Sequence, residues 1–306
     1  MSLIQKVYLE IRTDMKSKIG FIGTGLMGFP MAKNILKAGY NLKAFNRSKN
    51  KAEPLKEFGG EIAYTIKDVV KDSDILITML TDDNAIDEVM GSSDFLNNLI
   101  PGNTVIDMSS IKPTTAKKHG KNLKSNNVNY LDAPVSGGTI GAEQASLAIM
   151  VGGEQKVFDE VFHVLKTMGN PTLVGPLSCG QVSKLANQII VGLTIGAVAE
   201  AITLCEKAGA DPNKMIKALT GGWADSKVLQ THGKRMIDKD FTPKGKTSGQ
   251  LKDMNNILEC ANNFSTELPI SNLVKDMYKT LVENGHGETD HSSLYKEIER
   301  INDGKT

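Results

Sequence analysis

The stretch "GFIGTGLMG", residues 20–28, joins the end of an apolar run to glycines spaced G-x-G-x-x-G at Gly23, Gly25 and Gly28. A strand candidate at residues 18–23 precedes it and a helix candidate at 26–38 follows. In that setting each glycine has its own reason. Gly23 permits the tight turn, Gly25 lets a pyrophosphate reach the backbone, and Gly28 lets helix and strand pack closely. The first turn of the helix then offers unpaired N–H groups to phosphate. Gly23, Thr24, Gly25, Leu26, Met27 and Gly28 are therefore the candidate dinucleotide-binding turn. A packing-driven glycine turn and a methyltransferase-type nucleotide site compete for the same motif.

Outward from this turn the pattern repeats. Strand candidates at 41–46, 74–80, 103–109, 128–134, 146–153 and 171–175 alternate with helix candidates at 50–58, 66–71, 84–90, 113–125 and 154–167. Such alternation predicts an α/β domain of Rossmann type, with a largely parallel sheet and helices on both faces. Past Pro176 no strand pattern survives. Helix-like segments fill 180–208, 212–220, 225–237, 247–263, 270–284 and 291–301. The expected domains are thus 18–178, binding NAD(P), and 179–306, all helical. Residues 1–17 read as a loose N-terminal extension to which the sequence assigns no function; Glu10 and Asp14 interrupt any signal-like apolar core.

The segment "CGQVSKLANQIIVGLTIGAVAEAI", residues 179–202, is apolar on nearly every side, which predicts a buried helix. Lys184, Asn187 and Gln188 cluster on its first turns, and a buried lysine is either paired or catalytic.

Composition bounds the function. A net charge of +1 without a basic stripe excludes a nucleic-acid partner. Cys179, Cys205 and Cys260 stand far apart, which fits a reducing, cytoplasmic setting. The histidines form no HExxH-like pair, so no metal is expected. The apolar run from Ile189 to Ala199 falls short of the about 20 residues a membrane span needs, so no membrane is expected either.

The end of the second strand speaks to the nucleotide. An NAD site wants an acid there, and this chain has Asn46, Arg47 and Ser48, with Lys49 and Lys51 behind. Arg47 suits a 2′-phosphate through its planar fork. NADP(H) is the expected cofactor; NAD(H) stays usable if Arg47 stacks on adenine instead.

Further motifs follow in order: "DMSSIKP" at 107–113, "DAPVSGG" at 132–138, "GQVSK" at 180–184, "LKD" at 251–253 and "GHGETDHS" at 285–292. With the glycine turn, they resemble the β-hydroxyacid dehydrogenases, which include 3-hydroxyisobutyrate dehydrogenase and tartronate semialdehyde reductase. The resemblance runs from about Lys18 to Ser293. It implies a Rossmann-type domain joined by a long helix to an all-α domain, as in 6-phosphogluconate dehydrogenase, in homodimers or homotetramers. It implies hydride transfer between a nicotinamide and a short 3-hydroxy acid or its semialdehyde (tartronate, succinic or methylmalonate).

Residue by residue, the resemblance makes Lys184 the general acid/base and places the substrate carboxylate at Ser136, Gly137 and Gly138. Those residues also form, on their own terms, a polar turn with free N–H groups suited to a carboxylate. An amide past the lysine is implied at Gln188, with Asn187 beside it. Ser110 matches a contact to the nicotinamide riboside, Met79 and Leu80 flank the cofactor, and Lys252 reaches the nicotinamide end. Asp253 either orients Lys252 or Lys184, or caps a helix. One departure touches the substrate pocket: an aromatic residue common in relatives is replaced by Gly245, and Trp223 is the candidate substitute. An imine reductase shares this fold but usually replaces the lysine, and a non-catalytic nucleotide sensor would be expected to have lost it.

Overall fold

The computed structural model describes residues 17–303, so the extension expected over residues 1–17 lies outside them apart from Ser17. The chain divides into two compact units, Met1–Lys184 and Leu185–Thr306.

In the first unit the order is β1 (Ile19–Ile22), α1 (Gly28–Lys37), β2 (Leu42–Phe45), β3 (Glu61–Ile62), α2 (Ile66–Lys71) and β4 (Ile75–Thr78). Then come α3 (Asp83–Met90), α4 (Ser93–Leu96), β5 (Thr104–Asp107), α5 (Pro113–Ser125), β6 (Asn129–Asp132) and β7 (Val135–Ser136). The unit closes with α6 (Gly138–Glu143), β8 (Leu147–Gly152), α7 (Gln155–Leu165), β9 (Gly169–Gly175) and the start of α8 (Cys179–Lys207). Where a helix was expected over 50–58, Lys49–Lys51 and Glu53–Phe58 form 3-10 turns. Pro54 has no N–H to extend an α-helical ladder there.

The strands stand in the order β3-β2-β1-β4-β5-β6-β8-β7, with β9 beside β8. From β3 to β6 all pairs are parallel; β8 runs antiparallel to β6 and β7. Apolar residues on both faces explain the dominant parallel sheet. Phe21, Ile77 and Ile106 pack into one core, and Ile22, Leu76 and Val105 into the other. The short strands β3 and β7 escape sequence reading because two residues cannot show alternation.

Register does the positioning. Ile22 pairs with Phe45 and with Thr78, Thr78 with Asp107, and Asp107 with Asp132. The next residues, Gly23, Asn46, Met79, Met108 and Ala133, therefore leave the sheet along one edge. Strand order reverses at β1, and the crevice beyond such a point is where α/β sheets bind ligands.

The second unit holds the rest of α8, then α9 (Pro212–Leu219), α10 (Lys234–Ile237), α11 (Thr247–Asn263), α12 (Pro269–Leu281) and α13 (Leu294–Asn302). Ile195, Val198 and Ile202 of α8 pack with Met254, Tyr278 and Tyr295. On length and composition alone α8 is apolar enough to cross a bilayer, yet this stripe belongs to the helical core. The helix is not buried all round, as its composition predicted: Ala186, Ile190, Ala197 and Leu204 form an exposed stripe. The unit supplies packing neighbours to only one side of it.

The units part inside α8, after Lys184, and not at its first residue, where the composition shift lies. The reason is the docking of its first turns on the sheet, described next.

Candidate active site

Two of the fingerprint glycines are demanded by the chain itself. A Cβ on Gly28 would lie 1.9 Å from the Gly23 carbonyl oxygen, and one on Gly23 would lie 2.3 Å from that of Met79. Gly25 is different: a Cβ there meets nothing within 4 Å. Packing accounts for the outer glycines, while the middle one faces a pocket of about 540 Å³ lined also by Thr24, Leu26 and Phe29. The Thr24 hydroxyl is buried and has no hydrogen-bond partner. A bare backbone beside an orphaned hydroxyl fits a pyrophosphate group.

Asn46 serves this turn from within. Its Oδ1 accepts from the Thr24 N–H at 2.9 Å, and its Nδ2 donates to the Ser48 carbonyl at 3.0 Å. That side chain is committed to bracing the loop. Arg47 and Ser48 stay exposed at the strand end.

At the next strand exits, the Leu80 N–H donates to Ser109 Oγ at 2.9 Å, tying the Met79–Leu80 segment to the one that carries Ser110. Beneath them Asp107 is fully buried and accepts from Thr78 Oγ1 and the Ser109 N–H. Burial pushes the Asp107 carboxyl up, against the hydrogen bonds from Ser109 and Thr78.

Gln181 and Asp132 brace the candidate site, and sequence reasoning did not single them out. Gln181 Nε2 donates to the Ser109 carbonyl at 2.8 Å, and its Oε1 accepts from the Ile111 N–H at 3.2 Å. The two bonds bracket Ser110. Asp132 accepts from the Ser178 and Gln181 N–H groups at 2.7 and 2.8 Å, filling donors that the start of α8 leaves open. Burial holds its carboxyl up, to about 6, although the Gln181 and Ser178 bonds pull it down. With the helix pinned at Gln181, Lys184 follows one turn later on the same face. Both residues lie in motifs already quoted, "DAPVSGG" and "GQVSK", but spacing alone does not say what their side chains bond.

Ser136 ends β7, and Gly137 and Gly138 follow with φ of 138° and 62°. Residues with a Cβ rarely adopt these angles. A turn made this way presents successive N–H groups as a concave anion cradle.

Within the helical unit, Asn187 Nδ2 donates to Gln188 Oε1 at 2.8 Å and Gln188 Nε2 to Asp253 Oδ2 at 2.6 Å. Lys252 Nζ lies 3.8 Å from the other Asp253 oxygen. The structure thus joins Asn187, Gln188 and Lys252 through Asp253, which sits inside α11 and caps nothing. Trp223 is not among them; its indole is fully exposed in the turn after α9. The space over Gly245 belongs to the His291 ring, 3.3 Å from where a Cβ would stand. That ring meets His232 edge-on, with centroids 4.7 Å apart.

His232, Asp290 and His291 bring their ligand atoms within 4.8 Å of one another. Both Asp290 oxygens are already engaged, by Ser292 on one side and the Lys244 and Gly245 N–H groups on the other. Arg235 stands 3.7 Å away, where it opposes a cation. Burial acts to raise the Asp290 carboxyl, but the hydrogen bonds outweigh it and hold it down to about 2. Burial, reinforced by His232, lowers the His291 imidazole to about 4.

Because the folded value of His291 lies below the unfolded one, its contribution is present above about pH 6.5 and is lost as pH falls through about 4. The loss is on the order of 3 kcal/mol. Urea midpoints at pH 7 and pH 4.5 therefore differ less in His291→Gln than in the wild type. An equal drop would show that the folded ring takes up its proton as readily as the unfolded one, with no depression by burial.

The chain resembles known proteins over nearly its whole length. A family model described as the NAD binding domain of 6-phosphogluconate dehydrogenase matches residues 18–183. A second, the NAD-binding domain of NADP-dependent 3-hydroxyisobutyrate dehydrogenase, matches residues 178–298. The chain is 40% identical to the 2-hydroxy-3-oxopropionate reductase of Escherichia coli, over 92% of this chain and 97% of that one. It is 33% identical to a probable 3-hydroxyisobutyrate dehydrogenase-like protein of Arabidopsis thaliana, over 96% and 98%. The 3-hydroxyisobutyrate dehydrogenase of Mycobacterium tuberculosis, solved with L-serine, superposes with a TM-score of 0.85 at 27% identity, covering 93% and 99%. A nucleotide-binding edge with a lysine helix pinned beside it, and relatives alike over nearly their whole length, make the chain a member of the β-hydroxyacid dehydrogenase family, an NAD(P)-dependent hydroxyacid dehydrogenase.

Proposed function

We propose that this enzyme is an NADP(H)-preferring reductase of short aldehydes bearing a carboxylate, and in reverse an oxidant of the matching 3-hydroxy acids. Tartronate (2-hydroxy-3-oxopropionate), succinic and methylmalonate semialdehydes are the substrate class. The observation that carries the reading is the Gln181 bracket around Ser110, which holds the Lys184 turn of α8 at the cofactor edge.

A nicotinamide dinucleotide bound on the glycine turn supplies or accepts the hydride. Ser136, Gly137 and Gly138 hold the carboxylate. As the carbonyl carbon gains hydride its oxygen gains charge, and the Lys184 ammonium stabilises that oxygen and gives it a proton. In reverse the neutral amine takes the proton of the alcohol. The NADP(H) preference rests on Arg47 and on the missing acid at the end of β2.

The exposed stripe of α8, with Ile270 and Leu273 of α12 also exposed, supports a homodimer or homotetramer that covers it. The proposed setting is cytoplasmic.

The test is loss of reduced-nicotinamide absorbance with NADPH and with NADH, against a panel of carboxylated aldehydes. Arg47→Ala raises the KM for NADPH about 10-fold to 100-fold, as loss of a charge-assisted pair implies, and leaves that for NADH nearly unchanged. Wild-type turnover that favours NADH would sink the preference and spare the chemistry. Cofactor binding without turnover of any aldehyde in the panel would sink the substrate class.

A further inference from the structure

We infer that Asp253 is a positioning residue which, through Gln188, turns the carbonyl oxygen of Asn187 into an acceptor for a substrate hydroxyl. The inference rests on the proposed substrate class and adds one premise to it, that Asn187, one helical turn beyond Lys184, meets the substrate.

The polarity of the chain of contacts follows from chemistry. An ionised carboxylate accepts hydrogen bonds and donates none. The Gln188 atom 2.6 Å from Asp253 Oδ2 is therefore the amide nitrogen, since a flipped amide would set oxygen against oxygen. With Nε2 committed to Asp253, Gln188 turns Oε1 to Asn187, and Asn187 must answer with Nδ2, at 2.8 Å. The Asn187 Oδ1 is then left on the side away from Gln188. One carboxylate, two side chains away, decides which end of the Asn187 amide is presented.

Substrate choice follows. A carbonyl oxygen takes an O–H donor, so a hydroxyl beside the aldehyde, as in 2-hydroxy-3-oxopropionate, has a partner. The plain methylene of 3-oxopropionate has none. A site built to bond a hydroxyl discriminates against an analogue that lacks it.

Asp253→Asn tests this. Lys252, 3.8 Å from Asp253 Oδ1, favours a carbonyl on its own side, so the new amide turns its NH2 group to Gln188 and both amides downstream invert. The ratio of kcat/KM for 2-hydroxy-3-oxopropionate to that for 3-oxopropionate falls about tenfold, the size of one hydrogen bond. In the double variant Asp253→Asn/Gln188→Glu, a carboxylate at position 188 accepts from both sides. Asn187 donates again, and the ratio returns to within about threefold of the wild type. A double variant no better than Asp253→Asn overturns the relay, because a merely structural role for Asp253 predicts no such rescue.

A second measurement does not depend on turnover. In 15N-labelled protein the Gln188 side-chain amide, identified by its absence in Gln188→Glu, carries one downfield, slowly exchanging proton that Asp253→Asn removes. Absence of that signal in the wild type overturns the relay. Its presence in a wild type inactive on hydroxylated aldehydes upholds the relay and overturns the substrate assignment.

Discussion

Lys184→Ala lowers kcat for aldehyde reduction about 1,000-fold or more, since proton transfer and stabilisation of the developing oxyanion are each worth about 100-fold or better. The KM for NADPH stays within about twofold, because the glycine turn, Arg47 and Ser110 are untouched. Lys184→Arg separates the two contributions: it restores charge near the oxygen but gives up its proton far less readily. Its rate falls between the wild type and Lys184→Ala. Steady-state kinetics with a saturating aldehyde reads all three. A loss below tenfold in Lys184→Ala would remove this residue from the chemistry and leave it a structural cation at the start of α8.

Gly25→Val separates cofactor binding from folding. A Cβ at this position meets nothing within 4 Å, so the thermal midpoint stays close to that of the wild type. The same branched group fills the place where the pyrophosphate approaches, and NADPH affinity, followed by its fluorescence, falls about 100-fold. Gly28→Val is the control and behaves in the opposite way. A Cβ there collides with the Gly23 carbonyl 1.9 Å away, so the protein unfolds at lower temperature or fails to fold. If Gly25→Val bound NADPH normally, the turn would be a packing device and the nucleotide would have to sit elsewhere.

The glycine turn was legible because its meaning is local: an apolar strand, a turn and a helix in sequence have few other arrangements. The same holds for the alternation that follows, and for the all-helical remainder. Asn46 shows the limit of that reading. Its type and place suggest a cofactor contact, whereas its side chain braces the turn by bonds to the Thr24 N–H and the Ser48 carbonyl. Spacing names a position and says nothing about which partner captures a polar group first.

The supporting contacts were not legible for a different reason. Gln181 reaches Ser109 across 72 residues, Asp132 reaches Gln181 across 49, and Gln188 reaches Asp253 across 65. No periodicity links residues so far apart. Likewise the replacement of an aromatic side chain by Gly245 left an open question that composition answered with Trp223. The fold brought the His291 ring there instead.

By itself the sequence determined the alternation of the longer strands and helices, the glycine turn and the lysine near the start of the long helix, since each is written in neighbours a few residues apart. Only the tertiary structure decided which edge those pieces share, through strand register, and that α8 keeps one apolar stripe uncovered. It alone paired Gln181 with Asp132 and Gln188 with Asp253. The physical reason is one: local pattern fixes what a backbone segment becomes, while burial and hydrogen-bond satisfaction between distant segments fix what each side chain faces.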